Sequence, residues 1–555
     1  MIPTSSIGRY DIIITEIMSD PSPPEGLPEY EYVELKNNSS FAIELKGCKL
    51  GDESSAASFN SSIILQPDSF LICCSNTAAT QLKAFGRTVG LSNFPSLANE
   101  SDLVQLISPE GHIIHAVQYQ SSWHHNRIKA EGGWSLEMIN TSTPCAGAAN
   151  WSSSNAAIGG SPGHSNSQPS GMADQQPPAL LRSYSIDSTR IVAIFDEPLD
   201  SNSSVQSKNY ILSPGNLSPI SCLALPPLFR EIQLRFQQPF KANAIFDLTA
   251  SRLKDCSGNS IGSMNKVRAG LSSPAAPGDI IINEILFDPP PEGADYIELF
   301  NRSGNIINLQ QLYSSNRNNI NQLINTKAIS TLPIQLFPGE YIVLSENIGW
   351  ALGRYAIKDR NAFLSTILPS LPNDKGSFVL TNSAGLIIDE LQYAGSWHFP
   401  LLSATEGVSL ERIDPQSTTQ DKNNWLSAAT TVGGGTPGYV NSQYRSMHAE
   451  QEPFQLSSPV FSPDLDGRDD LLLIHYTMPG PGAVGTVRIF DIAGKLVRQL
   501  NSNALMGSHG SWAWDGLSET KLPLPSGIYI VQVSWFNLQG ASKSWKKAIA
   551  LVRSR

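Results

Sequence analysis

The sequence predicts an all-β protein made of four tandem β-sandwich domains. Three observations predict this fold class: short runs rich in β-branched and aromatic residues, turn residues that separate these runs, and an internal repeat at long range. Among the 555 residues, 42 are Gly and 38 are Pro, whereas only 16% are charged. Because a domain averages about 150 residues, a chain of this length is expected to contain several separate cores.

The internal repeat pairs the N-terminal region with a region in the second half of the chain. Residues 11–21 match residues 279–289 at eight of eleven positions. Further matching blocks follow in the same order and end with GGSPGHSNS (159–167) and GGTPGYVNS (434–442). We therefore expect one domain to occur twice, over residues 1–168 and 276–443.

Each copy contains short runs that are typical of strands. In the first copy they are bounded by Pro, Gly, Asn or Asp. They lie at Ile12–Ile17, Tyr32–Lys36, Phe70–Cys73, Leu103–Ile107 and Ile113–Tyr119. Gly111 and its counterpart Gly385 fit hairpin positions that need a positive φ. Helical patterns are weak, and the best of them covers residues 76–85. Each copy is therefore predicted to be a sandwich or a Greek-key barrel.

Two further domains follow from the composition between and after the copies. Stretches rich in Ser, Pro and Gly at 165–176 and 271–278, and a third stretch at 441–452, are typical of linkers. They delimit one domain at residues 175–272 and a C-terminal domain at residues 452–555.

Three motifs of the repeated domain occur in both copies: I-I-x-E-I-x-x-D-P, Y-[VI]-E-L-x-N, and a closing N-W followed by G-[ST]-P-G-x-x-N. They lie at 13–21, 32–37 and 150–166 in the first copy and at 281–289, 296–301 and 424–441 in the second. With these motifs the repeated domain resembles the lamin tail domain of nuclear lamins and bacterial secreted proteins. The resemblance implies an immunoglobulin-like (Ig-like) sandwich for each copy.

The other two domains carry resemblances of their own. STRIVAIFDEPLD (188–200) and IFDLTASRLKDCSGN (245–259) resemble bacterial surface-layer Ig-like domains. FSPDLDGRDD from Phe461, VRIFDIAGKLVRQL from Val487 and PSGIYIVQV from Pro525 resemble C-terminal Ig-like modules. Such modules occur in Bacteroidetes proteins exported by the type IX system and in flagellar-hook-capping proteins. The resemblance implies contact with an export machinery and a secreted or cell-surface location.

Charge and hydropathy exclude several classes of function. The net charge of −11 argues against a nucleic-acid binder, which needs clustered Lys and Arg. We expect no transmembrane segment, because no stretch approaches the roughly 20 apolar residues that span a bilayer. The N-terminus shows no signal peptide, so an exported protein would require that the signal has been trimmed from this sequence.

The six cysteines leave disulfide pairing open. Cys222 and Cys256 fall in the same predicted domain, and either a disulfide between them or two buried thiols fits that placement. None of the six lies in a CxxC motif, which disfavours zinc or redox chemistry.

The sharpest chemical motif is the acidic loop of the C-terminal domain. Its alternating carboxylates around Gly467 resemble a calcium-binding loop, which needs several oxygen ligands on a curved backbone. The candidate ligands are Asp464, Asp466, Asp469 and Asp470. The alternative is a solvated acidic turn that binds no cation; we expect no other cofactor.

A second set of candidate residues is duplicated. Glu16 and Glu34 correspond to Glu284 and Glu298, and they are predicted to accept hydrogen bonds from loop amides as structural anchors rather than to act as a general acid and base. Trp151 and Trp425 are predicted core residues. The duplicated Trp-His pairs, 123–124 and 397–398, also favour packing over a zinc site.

No nucleophile, zinc-hydrolase or nucleotide-binding motif lies in a catalytic context. The sequence therefore predicts a non-enzymatic exported or cell-surface scaffolding or adhesion protein whose loops contact protein or glycan partners. Two alternatives stay open. One is an accessory targeting subunit of a separately encoded nuclease or phosphatase, and the other is a calcium-dependent adhesin.

Overall fold

The computed structural model describes residues 7–52, 54–168, 174–445 and 452–553. The chain divides into two compact units, Met1–Leu271 and Ser272–Arg555. Strands account for 41% of the structure and helices for 8%, which confirms the predicted all-β class. Residues 1–6, residues 169–173 of the predicted linker at 165–176 and residues 446–451 of the predicted linker at 441–452 lie outside the described residues.

The first unit begins with a sandwich of two main sheets. Its strands are β1 (Ile12–Met18), β2 (Tyr32–Asn37), β3 (Ile43–Glu44), β4 (Lys49–Gly51), β5 (Ala56–Ser58), β6 (Ile64–Leu65), β7 (Phe70–Ser75), β8 (Thr88–Leu91), β9 (Ser101–Ile107), β10 (Ile113–Gln120), β11 (Leu136–Met138) and β12 (Trp151–Ser153). One sheet has the order β12-β11-β1-β2-β7-β8 and the other β10-β9-β4-β5, while β3 pairs with β6. A short helix, α1 (Ala79–Leu82), lies inside the segment with the best helical pattern. Short 3-10 helices cover Ser121–His124, Lys129–Glu131 and Gly147–Asn150.

Strand β1 is buried along its whole length. Its Ile side chains pack with apolar side chains of β2, β7, β4, β9 and β10 in one core. A strand with both faces covered needs no alternation of apolar and polar residues. One of the two faces of β1 therefore carries buried polar groups that need partners within the protein.

The second domain of the first unit is a smaller sandwich. Its elements are β13 (Leu180–Ser185), β14 (Arg190–Phe195), α2 (Ser201–Ser204), a 3-10 helix (Ser207–Asn209), β15 (Tyr210–Ser213), β16 (Ser221–Leu225), β17 (Glu231–Arg235), β18 (Ile245–Ala250) and β19 (Lys266–Gly270). The sheets β13-β14-β17-β16 and β15-β18-β19 enclose a core that includes Phe195, Tyr210 and Leu248.

The disulfide between Cys222 and Cys256, one of the two possibilities that the sequence left open, does not form. Cys256 forms a disulfide with Cys145 of the first sandwich, with a Cα–Cα distance of 6.2 Å. That distance lies within the range that a disulfide spans. Cys222 lies on β16 as a free thiol. Spacing along the chain missed this pair because its two halves belong to different domains.

The second unit repeats the first sandwich. Its elements are β20 (Ser272–Ser273), β21 (Ile280–Leu286), β22 (Tyr296–Asn301), β23 (Ile306–Asn308), β24 (Leu312–Arg317), β25 (Leu323–Ala328), β26 (Gln335–Leu336), β27 (Tyr341–Ser345), α3 (Ile348–Arg354), β28 (Phe363–Ser365), β29 (Lys375–Asn382), β30 (Ile387–Ala394), β31 (Leu410–Arg412) and β32 (Trp425–Ser427). Short 3-10 helices cover Leu309–Gln311, Arg360–Ala362, Gly395–Trp397, Lys422–Asn424 and Thr430–Val432. The sheet orders β32-β31-β21-β22-β27-β28 and β30-β29-β24-β25 reproduce those of the first copy strand for strand.

The C-terminal domain is a third kind of sandwich. Its strands are β33 (Phe454–Leu456), β34 (Val460–Phe461), β35 (Leu472–Thr477), β36 (Ala483–Asp491), β37 (Leu496–Leu505), β38 (His509–Trp514), β39 (Gly527–Asn537) and β40 (Ser542–Leu551). They form the sheets β33-β35-β38 and β34-β40-β39-β36-β37. Buried and more exposed residues alternate along β39, as expected for a sheet with one face on the core. Among the described residues, no helix combines the length and apolar character needed to cross a bilayer.

Candidate functional site

The duplicated glutamates lie side by side on adjacent strands of the first sandwich. The Cα atom of Glu16 on β1 is paired with that of Glu34 on β2 and with that of Glu137 on β11. A register shift between Ile14 and Glu16 adds one residue to β1 and brings the two carboxylates into line. We call these three residues the glutamate ladder of the first copy. All three side chains are fully buried.

The ladder holds a segment that we call the closing loop, residues 159–168. The backbone N–H of Ser161 donates to Glu16 Oε1 (2.9 Å), and that of Gly163 donates to Glu34 Oε2 (2.6 Å). The Ser161 hydroxyl donates to Glu137 Oε1 (2.8 Å). The backbone N–H of Ser167 donates to Glu137 Oε2 (2.8 Å). Each of the three carboxylates therefore accepts at least one hydrogen bond from the closing loop.

Side chains of the sheet supply the remaining donors. The hydroxyl groups of Tyr32 and Ser135 each donate to Glu16 Oε1 at 2.6 Å. Thr15 Oγ1 donates to Glu34 Oε1 at 2.8 Å. Glu16 Oε2 is buried and has no hydrogen-bond partner. The acceptors of the ladder are thus almost fully used by groups of the same domain.

The second copy builds the same ladder from Glu298, Glu284 and Glu411 on β22, β21 and β31. Its closing loop is residues 434–443. The backbone N–H of Thr436 donates to Glu284 Oε1 (2.9 Å), and that of Gly438 donates to Glu298 Oε2 (2.6 Å). Thr436 Oγ1 donates to Glu411 Oε1 at 2.7 Å and also contacts Glu284 Oε2 at 3.1 Å.

Burial makes the glutamates of both ladders weaker acids. It raises the pKa of Glu16 to about 7, with the neighbouring Glu137 adding to the shift. In the second copy, burial and the nearby Glu284 raise the pKa of Glu411 to about 8. Burial and the adjacent ladder carboxylate raise the pKa of Glu34 and of Glu298 well above the ordinary value. Protons shared within each ladder offset the repulsion between neighbouring carboxylates.

The sequence located two of the three members of each ladder. Glu137 and Glu411 were missed, although they occupy equivalent places in the blocks WSLEMIN and VSLERID. Tyr32 and Tyr296, whose hydroxyl groups donate to Glu16 and Glu284 at 2.6 Å, were also missed as ladder partners. These glutamates and tyrosines could have been predicted from one pattern: a polar residue that is present in both copies within a run that otherwise predicts a buried strand.

The duplicated aromatic residues belong to the cores. Trp151 and Trp425 are buried within the cores of their own sandwiches. His124 Nδ1 lies 2.6 Å from Ser153 Oγ, and His398 Nδ1 lies 2.8 Å from Ser427 Oγ. Burial lowers the pKa of both histidines to about 4. Among the described residues, no histidine joins a group of converging metal ligands.

The acidic loop of the C-terminal domain brings three of its four candidate ligands together. Carboxylate oxygens of Asp464, Asp466 and Asp470 lie within 4.8 Å of one another, whereas Asp469 is not part of this group. Both oxygens of Asp470 accept backbone N–H groups, from Leu465 (2.5 Å) and Gly467 (2.9 Å). The loop thus folds around its own carboxylates, and calcium binding there stays a prediction.

These features define a tandem β-sandwich protein of Ig-like modules. Residues 5–121 and 273–395 match the family Lamin Tail Domain, and residues 462–537 match the family FlgD Ig-like domain. The chain therefore carries two lamin tail domains and a C-terminal FlgD Ig-like domain. The lamin tail matches include two glutamates of each ladder and end before the third. No curated protein matches the chain in sequence.

Several solved structures match this chain at low identity and with low TM-scores. The N-terminal part of the bacterial S-layer protein SbsC is 14% identical, with 40% of this chain and 44% of that chain covered and a TM-score of 0.18. A tetra-tandem repeat from the extending region of a large adhesion protein is 10% identical, with 98% and 99% covered and a TM-score of 0.13. Dimeric latent PorU from Porphyromonas gingivalis is 9% identical, with 68% and 33% covered and a TM-score of 0.15. The chain thus spans less than half of the S-layer fragment.

Proposed function

We propose that this protein is a non-enzymatic scaffold of the cell surface or the secreted fraction, whose sandwich modules hold their outer loops in fixed positions for protein or glycan partners. The observation that carries the proposal is the direct attachment of the two modules within each unit. A module that is attached to its neighbour keeps a constant distance and orientation relative to it, as a spacer must.

The modules of the first unit are held by a covalent bond and by polar contacts. The disulfide joins Cys145 of the lamin tail domain to Cys256 of the following domain. The Arg9 guanidinium lies 4.1 Å from the ring centroid of Phe229, and Arg230 Nη2 donates to Gln118 Oε1 at 2.9 Å. The two sandwiches are therefore attached to each other at more than one point.

In the second unit the closing loop itself makes the attachment. Glu411 Oε2 accepts the hydroxyl of Ser442 (2.7 Å) and the backbone N–H of Gln443 (2.8 Å). The carbonyl of Ser442 in turn accepts the backbone N–H of Ser508 in the C-terminal domain (2.7 Å). Gln443 Nε2 donates to the carbonyl of Met506 at 3.2 Å. The ladder thus positions the residues that bind the next module.

The chemistry of the ladders supports a structural role. Their six carboxylates are fully buried, and hydrogen-bond donors of the same chain occupy them. A general acid or base must come within hydrogen-bond reach of its substrate, and the closing loop covers that face. The test is activity of the purified protein on DNA, phosphoesters and peptides. Hydrolysis that is lost in Glu34→Gln or Glu298→Gln would overturn the non-enzymatic assignment.

Export is supported by the disulfide, because disulfides persist mainly in oxidising compartments outside the cytosol. The C-terminal domain is the candidate for contact with the export machinery. We expect a protease added to intact cells to cleave the full chain, whereas a chain that lacks residues 452–555 stays protected inside. The variant Asp464→Asn/Asp466→Asn keeps the domain and serves as the control. A full chain that is cleaved only after lysis contradicts the proposal.

A further inference from the structure

A separate group of carboxylates lies in the second domain of the first unit and at its entry. Its members are Asp174, Glu197 and Asp255. Each offers one carboxylate oxygen, and the three oxygens lie within 4.8 Å of one another. Glu197 comes two residues after β14, and Asp255 lies in a turn whose backbone bridges to Leu199. Asp174 belongs to the segment that enters the domain.

Two of these side chains are withdrawn from water. Asp255 is 1% exposed and Glu197 is 8% exposed. The Asp255 carboxylate accepts two hydrogen bonds from Asn259, one from the backbone N–H and one from the side chain, each at 2.8 Å. Within the part of the chain that the structure describes, Glu197 has neither a hydrogen-bond donor nor a basic partner for its carboxylate. Its oxygen is instead directed at the oxygens of the two aspartates.

The arrangement is unfavourable when all three carboxylates are ionised and no positive charge lies between them. An ionised carboxylate that leaves water needs an ion pair, a set of donors or a metal ion. No Lys, Arg or His of the described ranges forms an ion pair with any of the three carboxylates. Close like charges in a partly buried site repel one another strongly, because the local dielectric is low. A cation at the point where the three oxygens converge would remove both penalties.

The surrounding structure holds the three segments in place. Asp255 is next to Cys256, which is fixed by the disulfide to Cys145. Asn259 Nδ2 donates to the carbonyl of Asp174 at 3.1 Å, so the entering segment is tied to the same turn. A cavity of about 480 Å³, lined by residues that include Asp174, Glu197 and Ala146, opens beside the group. It gives a cation access and leaves room for water ligands.

We propose that Asp174, Glu197 and Asp255 form a calcium-binding site that fastens the entering segment to the turn at Asp255. The ligands are all oxygen atoms, which favours a hard cation over zinc, with its preference for nitrogen and sulfur. Calcium takes six to eight oxygens at about 2.3–2.6 Å, so two of its ligands can be as far as about 5 Å apart. All three oxygens lie within 4.8 Å of one another, which is inside that span. Magnesium demands a tighter octahedral geometry and usually keeps several water ligands, so calcium is the better match to three carboxylates beside an open cavity.

The test is calorimetric titration of the full chain with CaCl2 after treatment with EDTA and dialysis, together with thermal unfolding in EDTA and in CaCl2. The free thiols provide a local readout, because Cys48, Cys73, Cys74 and Cys222 all lie in the first unit and Cys222 lies in the proposed calcium-binding domain. We expect calcium at a hundredfold excess over its dissociation constant to raise the temperature at which Cys222 becomes labelled, by about 5 °C.

Three variants separate the proposal from its alternatives. Glu197→Gln and Asp174→Asn should each abolish the calcium-dependent shift at Cys222. In EDTA, Glu197→Gln should unfold no earlier than the unaltered chain, because it removes a charge from a repelling group. The double variant Asp464→Asn/Asp466→Asn should keep the shift at Cys222 in full, whether or not the acidic loop binds calcium.

The proposal is overturned if Cys222 in the unaltered chain is labelled at the same temperature in EDTA and in CaCl2. Retention of the full shift in Glu197→Gln would overturn it equally. A shift that disappears only in the Asp464→Asn/Asp466→Asn variant would assign the cation to the acidic loop instead. MgCl2 at the same concentration is the control for ionic strength, and an equal shift with magnesium would contradict the selectivity for calcium.

Discussion

Replacing both disulfide cysteines, as Cys145→Ser/Cys256→Ser, should remove the strongest link between the two modules of the first unit. The residues are separated by 111 positions in sequence. In the chain-entropy treatment, closing a loop of that length lowers the entropy of the unfolded chain by an amount equivalent to about 4.8 kcal/mol at 25 °C. The cation–π contact of Arg9 with Phe229 and the hydrogen bond from Arg230 to Gln118 contribute about 1 kcal/mol each. The disulfide should therefore dominate the coupling.

The assay is urea unfolding followed by labelling of the free thiols, which report on the first unit alone. The double variant should unfold at a clearly lower urea concentration than the unaltered chain. A reducing agent should lower the midpoint of the unaltered chain to that of the variant and leave the variant unchanged. Cys222→Ser, which removes a free thiol from the same domain, should leave the disulfide and its response to reductant intact.

A simple count of thiols can refute this reasoning. In urea without reductant, four of the six cysteines should react, because Cys145 and Cys256 are bonded to each other. Six reactive thiols would show that the bond does not form. A peptide that links Cys222 to Cys256 would show instead that the pairing within one domain was correct. Either result would remove the covalent attachment on which the rigid first unit depends.

Three further predictions concern the glutamate ladders. Glu34→Ala leaves two buried donors unsatisfied and should lower the free energy of unfolding by about 2–6 kcal/mol in urea titrations, whereas the isosteric Gln should cost less. The folded pKa values of Glu16 and Glu411, about 7 and about 8, exceed the ordinary 4.5, so their contribution to stability is complete below pH 4.5 and is lost as the pH rises to 8. The buried His124 and His398 act in the opposite sense below pH 6.5, so the measurement is the urea midpoint of the unaltered chain relative to that of Glu16→Gln/Glu411→Gln; a relative midpoint that does not fall over this range contradicts the assignment. Gly163→Ala puts a Cβ atom 2.5 Å from the backbone oxygen of Phe85, at a φ of +84°. It should lower the urea midpoint far more than Gly111→Ala, where φ is +88° and nothing lies within 4 Å of the added atom. Equal midpoints of the two variants would contradict the tight packing of the closing loop.

Much of the fold follows from local patterns. The run Ile12–Ile17 predicts β1, which extends one residue further, to Met18. The hairpin positions at Gly111 and Gly385 have φ values of +88° and +77°, which confirms the prediction of positive φ. The repeat predicts equal sheets in the two copies, and the strand orders agree. These features depend on residues close in sequence or on direct comparison of one stretch with another, so they can be predicted from the sequence alone.

The parts that sequence did not reveal are long-range pairings. Glu137 joins the ladder because β11 pairs with β1, more than a hundred positions earlier in the chain, and nothing near Glu137 marks that neighbour. Cys145 and Cys256 belong to different domains and are 111 positions apart in the sequence. The group of Asp174, Glu197 and Asp255 likewise comes from three separate segments. Each of these sites is set by tertiary topology, which spacing along the chain does not encode.

The two copies carry different side chains at one position beside the ladder, and both side chains donate a hydrogen bond to a ladder glutamate. Thr15 Oγ1 and Asn283 Nδ2 occupy the same strand position, and each donates to the neighbouring glutamate at 2.8 Å. Like charges placed directly opposite each other weaken a sheet unless protons or donors offset them. Different side chains fill this one position, yet the donor function is kept. The glutamates and their closing loop therefore act as one structural element, in which removal of any donor should weaken the attachment of the loop and, in the second unit, of the module that follows it.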